Sequence, residues 1–486
     1  MPCTTILAGK NATNDGSTMI ARTDDGHFDV KKFVVVKPNQ KQTIYKSKIA
    51  HLSIKLPDHP MRYTACPSVD PKNGIWAATG INEANVGMTA TETITSNPRV
   101  LAADPLVTYE KAKRRGEHDK PGGIGEEDFV VLVLPYIKSA REGVLRIAQL
   151  LEKYGTYESN GIALNDAEEV WWLETIGGHH YMARKVPDER VVIAPNQFAM
   201  DEFDFDDALS EGRNHLCSED LKEFIEANSL NLNQDGLSNP RYIFGSHDDS
   251  DHVYNTPRAW FMGRYLAPSL GWDGPNAAYH PESDNIPWSL VPDKKVTIED
   301  IKYLLSSYYQ GTPYNPYANH DTGMRGMYRS IGINRTGVTS ICQIRGNMPK
   351  ALQGVEWISF ASNAFNAMLP FYVNTDRMPV YVSNVTMEPS TENLYWSSAM
   401  IGALADPCYP TAIQLIERYQ DAVMTKGRRL LSEYDQKMCR TENFSLIQEA
   451  NEKLAEMAKQ ETAKALGEVL HNASLHMKNG YNRADN

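Results

Sequence analysis

The third residue of the chain, the cysteine in MPCTTILAG, is the one whose position most invites chemistry. Free cysteine is ordinarily a small buried hydrophobe. To act as a nucleophile it needs a neighbouring base or a depressed pKa. An α-amino group titrates near ~8, so part of it is free base at neutral pH. With Cys3 as the first residue, its own amine could take the thiol proton, directly or through water, and the thiolate could attack an amide carbonyl. Within the chain the same nitrogen is an amide and useless as a base. The reading therefore expects a mature chain that begins at Cys3. Pro2 is small enough to permit removal of Met1, and Pro2 must leave as well.

Other reactive groupings carry less. HDDSDH at residues 247–252 and the pair His179 and His180 are ligand types for a metal. Their spacing fits no helical zinc signature such as HExxH, and the first lies in a stretch rich in Pro, Gly and Asp. No metal and no other cofactor is expected. A serine hydrolase would show GxSxG and a nucleotide site GxxxxGK[ST]; neither occurs. GGIGEED at residues 122–128 lacks the last glycine of GxGxxG.

The elements that must position Cys3 read mainly as strands over the first two hundred residues. CTTILAG, the turn-rich KNATNDG and STMIARTDD predict a hairpin. KKFVVVK is another strand, and residues 75–93 give two more around a turn at 83–85. In REGVLRIAQLLEKYG, Val144, Ile147, Leu151 and Tyr154 recur at helical spacing and Gly155 is placed to end the helix. NGIALND, EVWWLETIGG, HHYMARKV and RVVIAPNQF follow as strands, and their short loops favour antiparallel pairing of neighbours. Residues 235–290 are expected to be a long irregular excursion. VTSICQIRG, GVEWISFAS and MLPFYVN form a second β block, and residues 410–478 are helical and amphipathic. The sum is an α+β sandwich of two antiparallel sheet regions with helices outside.

CTTILAGKNATNDGSTMIARTDD resembles the opening of the N-terminal-nucleophile (Ntn) cysteine dipeptidases of the dipeptidase A type. These are relatives of the secernins and, more distantly, of penicillin V acylases and bile salt hydrolases. The resemblance continues through GINEANVGMTATET, IAPNQF and VYNTPRAW. It implies a four-layer αββα fold, with residues 3–409 as the catalytic domain and 410–486 as a helical extension packed on it. It also implies hydrolysis of free dipeptides through a cysteine acyl-enzyme, without metal. Cys3 matches the nucleophile. Arg22 and Asp25 match an arginine and an aspartate beside the cysteine in the acylase relatives. Arg22 would favour the thiolate by its charge and Asp25 would hold the α-amine, with Asp24 a rival for the acidic role. Asn196 matches an asparagine whose side-chain N–H helps hold the oxyanion. Arg258 matches a later arginine, and Arg264 is close enough to be confused with it. Glu92 stands where the relatives place a residue near the oxyanion. A carboxylate would repel that charge, so Glu92 or Asp24 is expected to bind the substrate ammonium, and Arg258 or Arg264 its carboxylate. The alternatives are an acylase of non-peptide linear amides and a secernin-like binding protein.

Composition bounds the partners. The 486 residues are 41% hydrophobic and 23% charged, ordinary for a globular protein, and carry a formal charge of −12. An acidic surface argues against nucleic acid or anionic membrane as partner. The basic run at residues 111–115 is read as a solvated helix face. No apolar stretch has transmembrane length, no secretion signal opens the chain, and six scattered cysteines suggest a reduced, cytoplasmic setting. A small dipeptide is the expected partner. A homo-oligomer is also expected, although the amphipathic C-terminal helix could pack on its own core or on a second subunit.

Overall fold

In the computed structural model the described residues are 3–477, without 27, 28, 115, 235, 238, 247, 321 and 322. Two sheets organise the molecule. Their strands are Cys3–Ala8 (β1), Thr18–Asp24 (β2), Thr79–Ile81 (β3), Gly87–Thr93 (β4), Asn160–Asn165 (β5), Val170–Ile176 (β6), His180–Lys185 (β7), Val191–Ala194 (β8), His215–Cys217 (β9), Ser289–Leu290 (β10), Val338–Ile344 (β11), Gly354–Phe360 (β12) and Leu369–Tyr372 (β13). The larger sheet runs β10-β8-β1-β2-β11-β12-β13 and the smaller β9-β7-β6-β5-β4-β3. Every pairing within them is antiparallel. The helices used below are Glu126–Val133 (α1), Ala140–Tyr154 (α2), Thr256–Leu266 (α3), Ile298–Leu305 (α4), Leu394–Ala405 (α5), Tyr409–Thr441 (α6) and Ile447–Leu475 (α7).

The period-2 alternation of β1 and β2 sorts their side chains into two layers. Ile6, Ala8, Met19 and Ala21 face outward and share a core with Phe261 of α3 and Ile301 of α4. Leu7 and Ile20 face inward and meet Ala163, Trp172 and Met182 of the smaller sheet. That sheet's other face, with Ile162, Leu164 and Leu173, is covered by Val130 of α1 and by Val144, Ile147 and Leu151 of α2. The order helix, sheet, sheet, helix is the expected αββα sandwich. Cys3, Thr5, Arg22 and Asp24 share the parity of Leu7 and Ile20, so they lie on the inward face, at one end of the apolar inter-sheet layer.

Several sequence-based expectations hold. The β1–β2 hairpin forms, with Cys3 opposite Asp24 and Gly16 at φ 78° in its turn. Helix α2 is capped by Ser139, which accepts from the Glu142 N–H at 3.1 Å, and stopped by Gly155 at φ 66°.

Other expectations need correction. The short loop between β7 and β8 is not a hairpin turn. The carbonyls of Asp188 and Arg190 accept from the N–H groups of Asn11 and Gly9, which docks the loop on β1 and sends β8 into the other sheet. The second β block is no separate sheet, because β11 pairs with β2 along its whole length. Residues 235–290 are not irregular throughout. They contain α3, nine of whose eleven residues are buried, and a helix buried all round shows no amphipathic period in its sequence. Residues 111–114 form an irregular segment rather than a helix, since Asp119 and Glu117 take the N–H groups of Ala112, Lys113 and Arg114.

The C-terminal helices pack on their own molecule. Leu431 of α6 and Ala450 of α7 cluster with Trp357 and Tyr372, while Val423, Leu454 and Ala458 join Leu369 and Phe371. The amphipathic pattern of α7 is therefore accounted for without a second subunit.

Candidate active site

Cys3 is the first residue of a central strand and is fully buried. Its Sγ lies 3.0 Å from Nη2 of Arg22, which projects from the neighbouring strand. Burial pushes the thiol up to about 12. Arg22 pulls it back, and Glu126 and Asp24 push it further up. Arg22 is itself held by Glu126 in a short ion pair, by the Ala78 carbonyl at 3.1 Å and by Asp24 at 3.9 Å. Among the described residues, Cys3, Asp24 and Glu126 are the one group whose ligand atoms approach closely enough to share an ion. The guanidinium of Arg22 reaches all three, so a cation already balances them.

Asp24 is buried opposite Cys3. Burial pushes its carboxyl up, but Lys31 at 2.9 Å and Arg22 outweigh burial and hold it below the ordinary value. Lys31 binds Asp29 as well, at 2.8 Å. An acid this closely paired is a poor receptor for a substrate ammonium. Asp25 points elsewhere: its oxygens accept from Arg329 at 2.6 Å, Thr336 at 2.7 Å and Thr23 at 3.1 Å. The nitrogen of Cys3 donates instead to Oδ1 of Asn196 at 2.8 Å. In this chain, with Met1 and Pro2 in place, Asn196 holds that nitrogen, while Arg329 and Thr336 hold Asp25.

Asn196 follows β8, the strand on the other side of β1. Its Oδ1 also accepts from Nη2 of Arg258 at 2.9 Å, and its Nδ2 donates to the Thr93 carbonyl at 2.9 Å. Two donors at one end and a carbonyl at the other fix the amide's orientation. Arg258, from α3, is completely buried. Its five N–H donors meet the carbonyls of Tyr254 and Cys3, the Thr4 hydroxyl, and the side-chain oxygens of Asn196 and Asn255. Burial, with help from Arg329 and against Glu92, lowers its pKa to about 9, so it remains a cation at neutral pH. A saturated guanidinium cannot also clamp a substrate carboxylate. Arg258 braces the backbone of Cys3. Arg264 is no substitute, since it pairs with Asp273 at 2.7 Å on the molecular surface.

Glu92, at the end of β4, is buried, and among the described residues neither of its oxygens has a hydrogen-bond partner. Burial pushes it up to about 7, against the pull of the Arg258, Arg22 and Arg329 charges. It is an unpaired acid poised near neutrality, close enough to Arg22 and Arg258 to feel both charges.

The family model described as peptidase family C69 matches residues 2–422. The chain belongs to peptidase family C69. Among relatives, this C69 chain is 48% identical to a dipeptidase of Bifidobacterium longum, with all of both chains covered. It is 45% identical to a probable dipeptidase A of Streptococcus pyogenes, also over all of both chains. It is 40% identical to dipeptidase A of Lactobacillus helveticus, over 96% of each. The solved structure of a mutant conjugated bile acid hydrolase from Clostridium perfringens matches 76% of this chain and 96% of its own at 11% identity. Its TM-score is 0.28, and the fold rests on the layers described above rather than on that likeness.

Two residues of this C69 site escape sequence reasoning. Glu126 opens α1 in GGIGEED. Three acids before an apolar run are a helix-start signal, but nothing in the run shows that the first is buried against an arginine a hundred residues away. Arg329 lies in a loop with no signal at all. Among the described residues the metal-ligand candidates do not assemble. His179 and His180 both bind Asp104, at 2.8 and 2.7 Å. His252 pairs with Asp284 at 3.0 Å, and His247 lies outside the described residues.

Proposed function

We propose that this protein is a dipeptidase that hydrolyses free dipeptides, with Cys3 as the nucleophile of a mature chain beginning at that residue. The observation that carries the reading is the setting of Cys3 in a C69 chain. It heads a central strand, with Sγ 3.0 Å from the Arg22 guanidinium and its nitrogen 2.8 Å from Asn196 Oδ1. The relatives' names, dipeptidase and dipeptidase A, support the substrate class.

With Met1 and Pro2 attached, the Cys3 nitrogen is a peptide N–H and the thiol, pushed up to about 12, stays protonated. Loss of both residues turns that nitrogen into an amine, for which Asn196 Oδ1 is a ready acceptor. The amine takes the thiol proton, and Sγ, beside Arg22, attacks the scissile carbonyl carbon. The carbonyl π electrons move to oxygen, where the Asn196 amide and backbone N–H groups meet the charge. Collapse breaks the C–N bond, and the leaving amine takes the proton from the Cys3 ammonium. Water, giving a proton to the same amine, then cleaves the thioester. Ionised Glu92 receives the substrate ammonium. Among the described residues no helix is long and apolar enough to cross a membrane, and a cytoplasmic location belongs to the same proposal.

Intact mass of an active preparation should correspond to a chain starting at Cys3. Cys3→Ala should fold and lose turnover, and thiol alkylation should inactivate where EDTA does not. Full activity with Met1 retained, or activity surviving in Cys3→Ala, ends this reading. N-acetyl dipeptides or penicillin V cleaved faster than free dipeptides would transfer the same mechanism to the acylase alternative.

A further inference from the structure

A free dipeptide carries a carboxylate one residue beyond the scissile bond, and burying it without a partner is costly. The cations nearest Cys3 are committed. Arg22 serves Cys3, Glu126 and Asp24. Lys31 lies between Asp24 and Asp29, and Arg258 is saturated. Arg329 differs. Its Nη2 donates to Asp25 at 2.6 Å and its Nη1 to the Ser330 carbonyl at 3.2 Å, while its Nε, like that of Arg22, is buried without a hydrogen-bond partner among the described residues. The side chain is only 7% exposed. Its backbone is pinned on both sides, the N–H donating to the Val253 carbonyl at 3.1 Å and the carbonyl accepting from Tyr309 Oη at 2.8 Å. Tyr309 is itself held at φ 62°, a conformation seldom kept by an aromatic residue unless the surroundings enforce it.

Arg329 forms part of the wall of a cavity of about 750 Å³, and Tyr308, Tyr317, Phe365, Tyr395 and Trp396 supply its aromatic lining. Arg335 adds a second cation, and the acid on the lining, Asp406, is already held by the Tyr317 hydroxyl. The cavity lies at the Cys3 end of the larger sheet. Thr336, on its wall, donates to Asp25, and the next residue, Gly337, donates its N–H at 2.7 Å to the carbonyl of Asp24, the strand partner of Cys3.

We propose that this cavity receives the carboxyl-terminal residue of the substrate, its carboxylate on Arg329 and its side chain among the aromatic rings. A guanidinium with a donor to spare, and a second arginine on the same wall, suit a carboxylate, and the lining suits a bulky apolar or aromatic side chain. The inference rests on the dipeptidase reading and adds to it the leaving-group subsite and its preference.

Steady-state kinetics of the processed enzyme on Ala-Phe, Ala-Gly and the amide of Ala-Phe provide the test. The wild type should favour Ala-Phe over Ala-Gly by about tenfold in kcat/KM and lose about 10²-fold on the amide, the scale of a charge-assisted contact. Arg329→Gln should raise KM for Ala-Phe and remove most of the difference between acid and amide. Because Arg329 also holds Asp25, both substrates can suffer together, but the acid-to-amide ratio isolates the carboxylate contact. Ala399→Phe, which fills the cavity from its lining, should cost Ala-Phe more than Ala-Gly and decides the matter if Arg329→Gln does not fold. An acid-to-amide ratio untouched by Arg329→Gln, or an Ala399→Phe enzyme blind to the side chain, overturns the inference and leaves the dipeptidase reading standing. A wild type that cleaves neither free dipeptide overturns both.

Discussion

Glu92 is buried without a hydrogen-bond partner among the described residues, and the three arginines around it do not restore its ordinary pKa. If it receives the substrate ammonium, it must be ionised to do so. Below about 7 it is protonated and loses the ion pair; above about 7 it is charged and KM falls. The pH profile of kcat/KM for free dipeptides should therefore rise through neutrality, and Glu92→Gln should raise KM and flatten that limb while leaving Cys3 reactive to alkylation. A Glu92→Gln enzyme with the wild-type limb would assign the titration to the Cys3 amine instead. At Asn196 the expectation concerns rate. Removing a donor to an oxyanion typically costs about 10²–10³ in turnover, so Asn196→Ala should show a loss of that order in kcat; an effect confined to KM would make it a substrate-binding residue. Cys3, Arg22 and Asn196 were legible because each sits in a short motif with its neighbours. Glu126 and Arg329 were not, since what gives them meaning is a contact across the fold.

At the scale of elements, Arg258 shows how a helix can serve a strand. Helix α3 lies against β8, the strand beside β1, and inserts one guanidinium whose five donors hold the Cys3 carbonyl, Thr4, Asn196, Asn255 and Tyr254. Lysine cannot reproduce that fork, and the abandoned acceptors would stay buried, at ~1–3 kcal/mol each where no water replaces the donor. Arg258→Lys should thus lower Tm and kcat together. Arg264→Gln, two turns along the same helix on an exposed pair, should move neither by much, since such pairs contribute ~0–1 kcal/mol. If Arg258→Lys reduced kcat at unchanged Tm, the residue would be touching substrate rather than bracing the strand. The hairpin of β1 and β2 was readable from its turn chemistry and alternation, as was α2 from its period and terminal glycine. The sheet partner of β8 and the burial of α3 were not. The first depends on where a loop docks, and the second belongs to a helix with no solvent face to give it a period.

At the scale of the whole molecule, buried carboxyl groups set the response to pH. Glu92, Glu158, Glu174 and Glu356 are each pushed up to about 7, burial being the main cause in every case. In an unfolded chain they would titrate near the ordinary 4.5. Between those values the folded protein holds protons that the unfolded chain releases, so stability falls as pH rises through the window. His180 and His252, held above their ordinary value in spite of burial, act in the same direction; His215, lowered by burial, acts against them. Acids that partners hold low, Asp24 and Asp104 among them, are ionised throughout this range and add no slope. Calorimetry should therefore give a higher Tm at pH 5.5 than at pH 8. Glu356 allows the cause to be isolated away from the nucleophile. It accepts from Thr64 at 2.5 Å and Ser340 at 3.0 Å, and those hydroxyls can turn to accept from an amide. Glu356→Gln should raise Tm more at pH 8 than at pH 5.5, because only at the higher pH does it remove a charge. A gain equal at both pH values would mean that packing, not ionisation, limits stability at this position. Wild-type Tm values that do not fall toward pH 8 would mean that the buried acids shed their protons without cost to the fold.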